Sequence, residues 1–469
     1  METNKTISII GAGPAGLSAA IQLAEYGIKS TIYDENPKIG GAIFKQPEKG
    51  LKNHPLKDET TFIKAKKLFD QFENHKSDIT LSMNTEVLGV FPLTNEIGIA
   101  QDGVFRKISD TSLIVSTGCY ERAQPFPGWT LPGIMSVGGL QLQVKCGTVK
   151  PGHKAALIGT GPLLLVAAKQ LHMSGVDVVA VVEAGKRKQL VSKAFNMIAN
   201  KSLLKEGVDY VNYLKKHNIP MYYGHGVVSA SGDGQVQKVV VAPVDDKWYP
   251  NKEKSFELEV DCIGIQYGYV PRIQFTDLLQ CENSFDKHLG GSFPQVDKWQ
   301  RTTIEGVYSA GDNSGVYGAD VAMLEGRLAA LGYLIDTRVI TESEATQIAA
   351  PLIKEAQRYK KFQHSFHDFS GLKEGLLSLP EEDTIICRCE NIKRSEIDRA
   401  IEAGVEEMPD LKINTRVGMG DCQGKMCGSF CREYLAHKNH KKEEDVMGLK
   451  PRFPLAPIAF ESIVDNQEF

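Results

Sequence analysis

An α/β chain with two doubly wound lobes and a small metal-binding appendix is predicted by three observations. A strand–glycine turn–helix–strand–acid unit occurs twice, glycine is in excess, and the cysteines crowd toward the C-terminus. The 469 residues allow two to four domains, at roughly 100–200 residues each. Glycine fills 44 positions, about 9% against a usual ~7%. Apolar residues at 42%, charged residues at 24% and a net charge of −4 exclude collagen-like, disordered and strongly basic nucleic-acid-binding chains. Residues 7–24 are uncharged but broken by Gly11, Gly13, Pro14 and Gly16, and the apolar run 155–168 is 14 residues long. A membrane span needs ~20 residues, so no transmembrane segment is expected, and a cytoplasmic location with reduced thiols is.

The first repeat unit has a strand at 7–10, the turn Gly11-Ala12-Gly13-Pro14-Ala15-Gly16, a helix to about Tyr26 and a strand at 29–33 ending at Asp34. The second has a strand at 155–158, the turn Gly159-Thr160-Gly161-Pro162, a helix to about Met173 and a strand at 176–182 ending at Glu183. Glycine and acid stand 23 positions apart in one copy and 24 in the other. Such a turn aims free backbone N–H groups and a helix N-terminus at one spot, which suits a pyrophosphate. Gly11 permits the turn, Gly13 lets the phosphate approach, Gly16 lets helix and strand meet, and the acid accepts ribose hydroxyls. Two Rossmann-like dinucleotide-binding domains follow.

The second turn departs from the pattern, because Leu164 stands at its third glycine position. Glu183 would favour ribose hydroxyls over a 2′-phosphate, hence NAD(H) over NADP(H). The alternatives are a purely structural lobe or one holding another adenine nucleotide such as ATP. Gly159, Gly161, Pro162 and Glu183 are the candidate residues in each case.

Five of the nine cysteines lie between 387 and 431, and four form the pattern C-x-C-x32-C-x4-C: Cys387, Cys389, Cys422 and Cys427. Four thiolates can hold a [2Fe–2S] cluster, and the surrounding glycines let backbone N–H groups reach its sulfurs. Zinc is the rival, although structural zinc sites usually separate paired ligands by two residues or more. Cys431 is read as packing, and Ser395 with Asp398 as a capping box for a short helix ending at Gly404. Cys119, Cys146, Cys262 and Cys281 are isolated and read as small buried hydrophobes. There is no C-x-x-C, which sets aside a disulfide-reductase chemistry. The histidines, among them His153, His172, His225, His364, His367, His437 and His440, read as scattered and non-catalytic. Residues 359–369 read as packing or partner contact, 186–216 and 343–361 as helical, and the Pro-bearing tail as an extended arm.

Thr117-Gly118 follows an apolar strand, and a second strand runs into Gly311-Asp312. With Gly11–Gly16 and Asp34 these resemble the three signatures of two-dinucleotide-binding-domain flavoproteins. The resemblance implies FAD, with Asp312 on its ribityl chain and 318–325 near its ring. Its contacts would come from Gly11, Gly13, Pro14, Ala15, Gly16, Asp34, Glu35, Gly41, Val87, Thr117, Gly118, Gly311, Asp312 and Gly318. The cysteine segment resembles the bacterioferritin-associated-ferredoxin cluster domain. Together with the altered second turn and Tyr267-Gly268-Tyr269-Val270-Pro271, residues 5–460 resemble the alpha subunits of heteromeric FAD/[2Fe–2S] amine dehydrogenases, the group of opine oxidase, D-hydroxyproline dehydrogenase, dye-linked L-proline dehydrogenase and hydrogen cyanide synthase. That family implies a D-amino-acid-oxidase-like flavoprotein beta subunit that oxidises a CH–NH donor, and a hetero-oligomer. A further candidate partner is a small ferredoxin-like subunit. A self-sufficient NADH reductase and a non-catalytic electron-transfer scaffold are the competing readings. The expected division is an FAD-binding domain at 1–120 and 295–375, a second dinucleotide-binding domain at 121–294, a [2Fe–2S] domain at 380–440 and an arm at 441–469.

Overall fold

The computed structural model describes residues 6–47, 54–91, 96–109, 112–147, 149–192 and 200–461. The expected arm beyond 461 and part of the helical stretch before 200 lie outside the described residues. In chain order, the strands that position the site are, in the first half, β1 (Thr6–Ile10), β2 (Lys29–Tyr33), β3 (Ile79–Ser82), β4 (Leu113–Val115), β5 (Cys119–Glu121) and β6 (Ile134–Ser136). Next come β7 (Lys154–Gly159), β8 (Asp177–Glu183), β9 (Met221–Tyr223), β10 (Cys262–Gln266), β11 (Tyr269–Pro271), β12 (Val307–Ser309) and β13 (Ile385–Cys387). The helices that matter are α1 (Pro14–Ala24), α2 (Leu163–Met173), α3 (Ala319–Asp336), α4 (Glu342–His364), α5 (His367–Ser370), α6 (Arg394–Glu402) and α7 (Gly428–Lys438).

Two five-stranded parallel sheets run in the orders β12–β4–β1–β2–β3 and β9–β8–β7–β10–β6. Each has at its centre the strand before a glycine turn, so both turns open at the carboxyl edge where doubly wound sheets bind ligands. All of α1 is buried, as expected of a helix that is apolar on every side. It lies between its sheet and α3, where Gly326 is needed because a Cβ there would collide with the Ala15 carbonyl. Ile7, Ile9, Leu17, Leu23, Ala329 and Leu331 form the centre of this lobe. Leu164 turns into the core of the second lobe with Leu157, Ala168 and Leu171, so the bulk that replaces glycine is absorbed by packing.

An antiparallel ribbon of β5 and β11 joins the lobes, pairing Cys119 with Pro271, Tyr120 with Val270 and Glu121 with Tyr269. After α4 and α5 the chain forms a separate small core around Ile386, Ile397, Leu411, Phe430 and Tyr434. The arm then folds back. Leu449 covers Gly418 and Gly424 of the cysteine loop, and the Phe453 ring lies 4.7 Å from that of Phe91 on the first lobe.

Two expectations are corrected. The capping box of α6 is not formed by Ser395 and Asp398: Glu396 Oε2 accepts from the Lys393 backbone N–H at 2.9 Å, and Asp398 instead accepts from the Tyr434 hydroxyl at 2.6 Å. The histidines are not all scattered. His364 and His367 lie 3.3 Å apart through their Nδ1 atoms, at the end of α4 and the start of α5, and His288 stacks on His367 with ring centroids 4.2 Å apart.

Among the described residues no helix is long and apolar enough to cross a membrane.

Candidate functional site

The first glycine turn leaves β1 at Gly11, whose φ of +106° is a left-handed value that glycine tolerates and whose missing Cβ makes room for the Ser116 carbonyl. Pro14 opens α1 at the position where its fixed φ suits a helix start. Gly13 and Gly41 face each other so closely that a Cβ on Gly41 would stand 2.9 Å from the Gly13 Cα. Two bare backbones thus line the space in front of the helix N-terminus. Asp34 Oδ2 accepts from the Ala12 N–H at 2.7 Å, and Oδ1 accepts from the Asn36 backbone N–H at 2.7 Å. Glu35 is at the rim, paired with Arg272 at 3.2 Å, and Val87 packs beside Ile10 and Val115.

The other two signatures converge on the same edge. Asp312 is half-buried, and its Oδ1 accepts from the backbone N–H groups of Tyr317 at 3.0 Å and Gly318 at 2.7 Å. Burial pushes its carboxyl up, against the pull of those two N–H groups. Ala15 meets Gly311, where a Cβ would stand 2.9 Å from the Ala15 Cβ. Thr117 Oγ1 donates to the Arg272 carbonyl at 2.8 Å, and the Gly118 N–H donates to Asn313 Oδ1 at 3.4 Å. A Cβ on Gly118 would meet nothing within 4 Å, so this turn faces open space. Cys119 Sγ reaches Asp312 Oδ2 at 3.6 Å. Burial, reinforced by the Asp312 charge, pushes that thiol well above its ordinary range, so it is no activated nucleophile.

Sequence reasoning missed what holds these signatures in place. Glu325 is buried, accepts from the Gly311 N–H at 3.1 Å and pairs with Lys360 at 2.8 Å. Lys360 also lies 4.4 Å over the Tyr317 ring, and Gln363 donates to the Tyr317 carbonyl. The stretch 359–369 thus packs on the segment that follows Gly311-Asp312. Glu325 and Lys360 stand 35 positions apart, so no local periodicity links them.

In the second lobe, Glu183 Oε2 accepts from the Gly161 N–H at 2.9 Å and Oε1 from the Gly185 N–H at 2.8 Å. Burial pushes its carboxyl up to about 7. Pro162 stands at the N-cap of α2, and Gly159 has its Cβ position filled by the Gln266 carbonyl. Counted from the acid, Gly185 corresponds to Asn36 of the first lobe. The Phe369 ring of α5 lies on Gly185, with two of its carbons 2.5 Å from where a Cβ would be.

The cysteine loop brings the four candidate ligands together in pairs. Cys387 and Cys427 are buried and within hydrogen-bonding reach of each other; Cys389 is exposed, Cys422 half-buried, and these two also share a hydrogen bond. The Cβ position of Gly420 is filled by Cys389, so any larger residue there would push that cysteine aside. Among the described residues no three His, Cys, Asp or Glu side chains converge on one ion. Two thiol pairs with glycine between them fit a binuclear cluster, with two thiolates to each iron, better than a single zinc. Cys431 is fully buried on α7 with Phe430 and Leu435.

Several contacts fasten the cluster domain to the body. Glu433 of α7 is buried against Arg122, and Lys287 joins the pair. On the other side, Trp129 Nε1 donates to the Ile385 carbonyl at 2.6 Å, while the Arg388 guanidinium lies 5.3 Å over the Trp129 ring.

Two doubly wound lobes, a glycine cradle at the first, and a paired-thiol domain fastened beside it define a flavoprotein oxidoreductase with an iron–sulfur appendage. Comparison with known proteins agrees. Residues 5–326 match the pyridine nucleotide-disulphide oxidoreductase family, to which the chain belongs, and residues 385–437 match the BFD-like [2Fe-2S] binding domain. Its cofactors are FAD and a [2Fe–2S] cluster. The chain is 37% identical to hydrogen cyanide synthase subunit HcnB of Pseudomonas protegens over 98% of its own length and 97% of that protein's. It is 30% identical to an opine oxidase subunit of Rhizobium meliloti, covering 98% of each. Among solved structures, L-proline dehydrogenase from P. horikoshii shares the fold, with a TM-score of 0.69 at 17% identity over 98% of this chain and 80% of that one.

Proposed function

We propose that the chain is the electron-transferring alpha subunit of a cytoplasmic, heteromeric dehydrogenase acting on a CH–NH donor such as an amino acid, a hydroxyproline or an opine. Its partner would be a D-amino-acid-oxidase-like beta subunit with its own FAD, and a small ferredoxin-like subunit could complete the assembly. The observation that carries this reading is that one chain joins a flavin-type edge to a four-cysteine domain: at one end of residues 119–122 Cys119 reaches Asp312, and at the other Arg122 pairs with Glu433 of the cluster domain. The names of the full-length relatives, each a subunit, support it.

A bound flavin exchanges one or two electrons and a [2Fe–2S] cluster one. This chain's residues would bind and orient the two groups. Gly11, Gly13, Gly41 and the α1 N-terminus would take the pyrophosphate, Asp34 the ribose and Asp312 the ribityl hydroxyls. Cys387, Cys389, Cys422 and Cys427 would ligate the irons.

The cover of Phe369 on Gly185 supports a second lobe that holds the fold together and takes no hydride from a nicotinamide. The test is dye reduction by the purified chain with and without a co-expressed partner. Turnover of proline, hydroxyproline or an opine at full rate by the chain alone would sink the split-function reading. Rapid anaerobic flavin bleaching by NADH would favour the self-sufficient reductase instead.

A further inference from the structure

Beyond α7, residues 449–455 run from the cysteine loop to the first lobe, and each end is seated in a hollow of bare backbone. At the loop, a Cβ on Gly418 would stand 2.7 Å from Leu449 Cδ1, one on Gly424 2.5 Å and one on Gly428 3.8 Å. Gly418 and Gly424 flank Cys422, and Gly428 follows Cys427 directly. At the lobe, the Phe453 ring comes within 2.9 Å of where a Cβ on Gly89 or Gly98 would be. These two glycines pair across the antiparallel strands Thr85–Phe91 and Glu96–Gln101, and both are buried. The ring centroid of Phe453 lies 4.7 Å from that of Phe91 and 6.3 Å from that of Phe105. Two hydrogen bonds close the crossing. The Leu455 N–H donates to the Leu88 carbonyl at 2.7 Å, and Gln423 Nε2, beside Cys422, donates to the Pro454 carbonyl at 3.4 Å.

We propose that residues 449–455 are a strap that keeps water off the loop carrying Cys422 and Cys427, with Leu449 as its plug and Phe453 as its anchor, and that the strap thereby lowers the midpoint potential of the cluster. Glycines have no side chains to fill the hollow that a lost plug would leave. One-electron reduction adds one negative charge to the cluster, and water stabilises that charge better than apolar packing does. Solvent access around the ligands is therefore a lever on the potential. Of the four candidate ligands Cys389 is exposed, so the strap shields the loop and leaves that thiol open. Leu449 and Phe453 act through the loop and are positioning residues. This goes beyond the function proposed above and holds whichever donor the assembly oxidises.

The test is an anaerobic titration of holoprotein with dithionite and mediators, following the cluster by electron paramagnetic resonance and the flavin by absorbance. Leu449→Ala is expected to move the cluster midpoint to a more positive potential. The flavin midpoint and the FAD, iron and sulfide contents are expected to stay unchanged. Phe453→Ala is expected to move the cluster midpoint the same way. Leu449→Met refills the hollow and is expected to leave it in place. Because the anchor acts through the plug, the double variant L449A/F453A is expected to shift no further than L449A. Should L449A lose its cluster, Leu449→Val removes a single methylene and is expected to shift in the same direction. An unmoved cluster midpoint in the Ala or Val variants would overturn the shielding role, as would a shift in L449M equal to that in L449A. An equal shift of the flavin midpoint would show a general loosening of the lobe and overturn it too. Additive shifts in the double variant would remove Phe453 as the anchor.

Discussion

Glu433 is buried against Arg122, and the pair joins a helix of the cluster domain to the ribbon between the two lobes. Burial pushes the Glu433 carboxyl up, but Arg122 and Lys287 outweigh it and hold it below the usual carboxylate range. Breaking one partner of a buried pair leaves an uncompensated charge.

Glu433→Gln is therefore expected to cost about 3–5 kcal/mol of stability near neutral pH. Because the folded value lies below the unfolded one, the stabilisation is complete above about pH 4.3 and is lost as pH falls through the folded value. Melting temperatures of the two proteins should converge in acid. A gap that stays constant with pH would contradict the ion pair as its cause.

Cys387→Ser and Cys427→Ser are expected to abolish bound iron and acid-labile sulfide, since both thiols lie on the buried side of the loop. Cys431→Ser, which alters a packing residue of α7, should keep both. Sulfide and iron assays on the three variants decide this, and zinc without sulfide in the unaltered protein would remove the cluster assignment.

Lys145 is almost wholly buried, donating to the Ile43 carbonyl at 2.8 Å, and burial pushes its ammonium down to about 8. An unfolded lysine titrates near 10.4, so the buried charge opposes folding by about 3 kcal/mol below pH 8 and is relieved as pH rises through that interval. Lys145→Met should raise the melting temperature near pH 7, with the advantage fading by about pH 10. A variant less stable at both ends of that range would show that the hydrogen bond to Ile43 outweighs the charge.

Phe369 covers the glycine that follows Glu183. Calorimetric titration with NADH or ATP is expected to show no binding to the second lobe of the unaltered protein. In Phe369→Ala, weak binding is expected to emerge. Tight binding without the substitution would show that the ring yields to the ligand.

The redox class of this protein was legible in short, local patterns. A glycine turn, a helix start and an acid about 23 residues on must form one unit, because only glycine adopts φ near +106° at Gly11 without strain and only a bare backbone fits opposite Gly13. Four cysteines in two close pairs likewise announce a metal from spacing alone.

What the sequence by itself could not determine are contacts between residues far apart in the chain: Glu325 with Lys360 under the Gly311 turn, Arg122 with Glu433, Phe369 over Gly185, and the gathering of His288 with His364 and His367. The Ser395–Asp398 capping box shows the same limit at short range, since Tyr434 claims the Asp398 carboxylate and Glu396 caps α6 instead. Local rules govern turns and helix starts because the interacting groups are tied by a few bonds. Which distant charge or ring fills a given space depends on how the lobes and the cluster domain pack, and only the tertiary structure decided that.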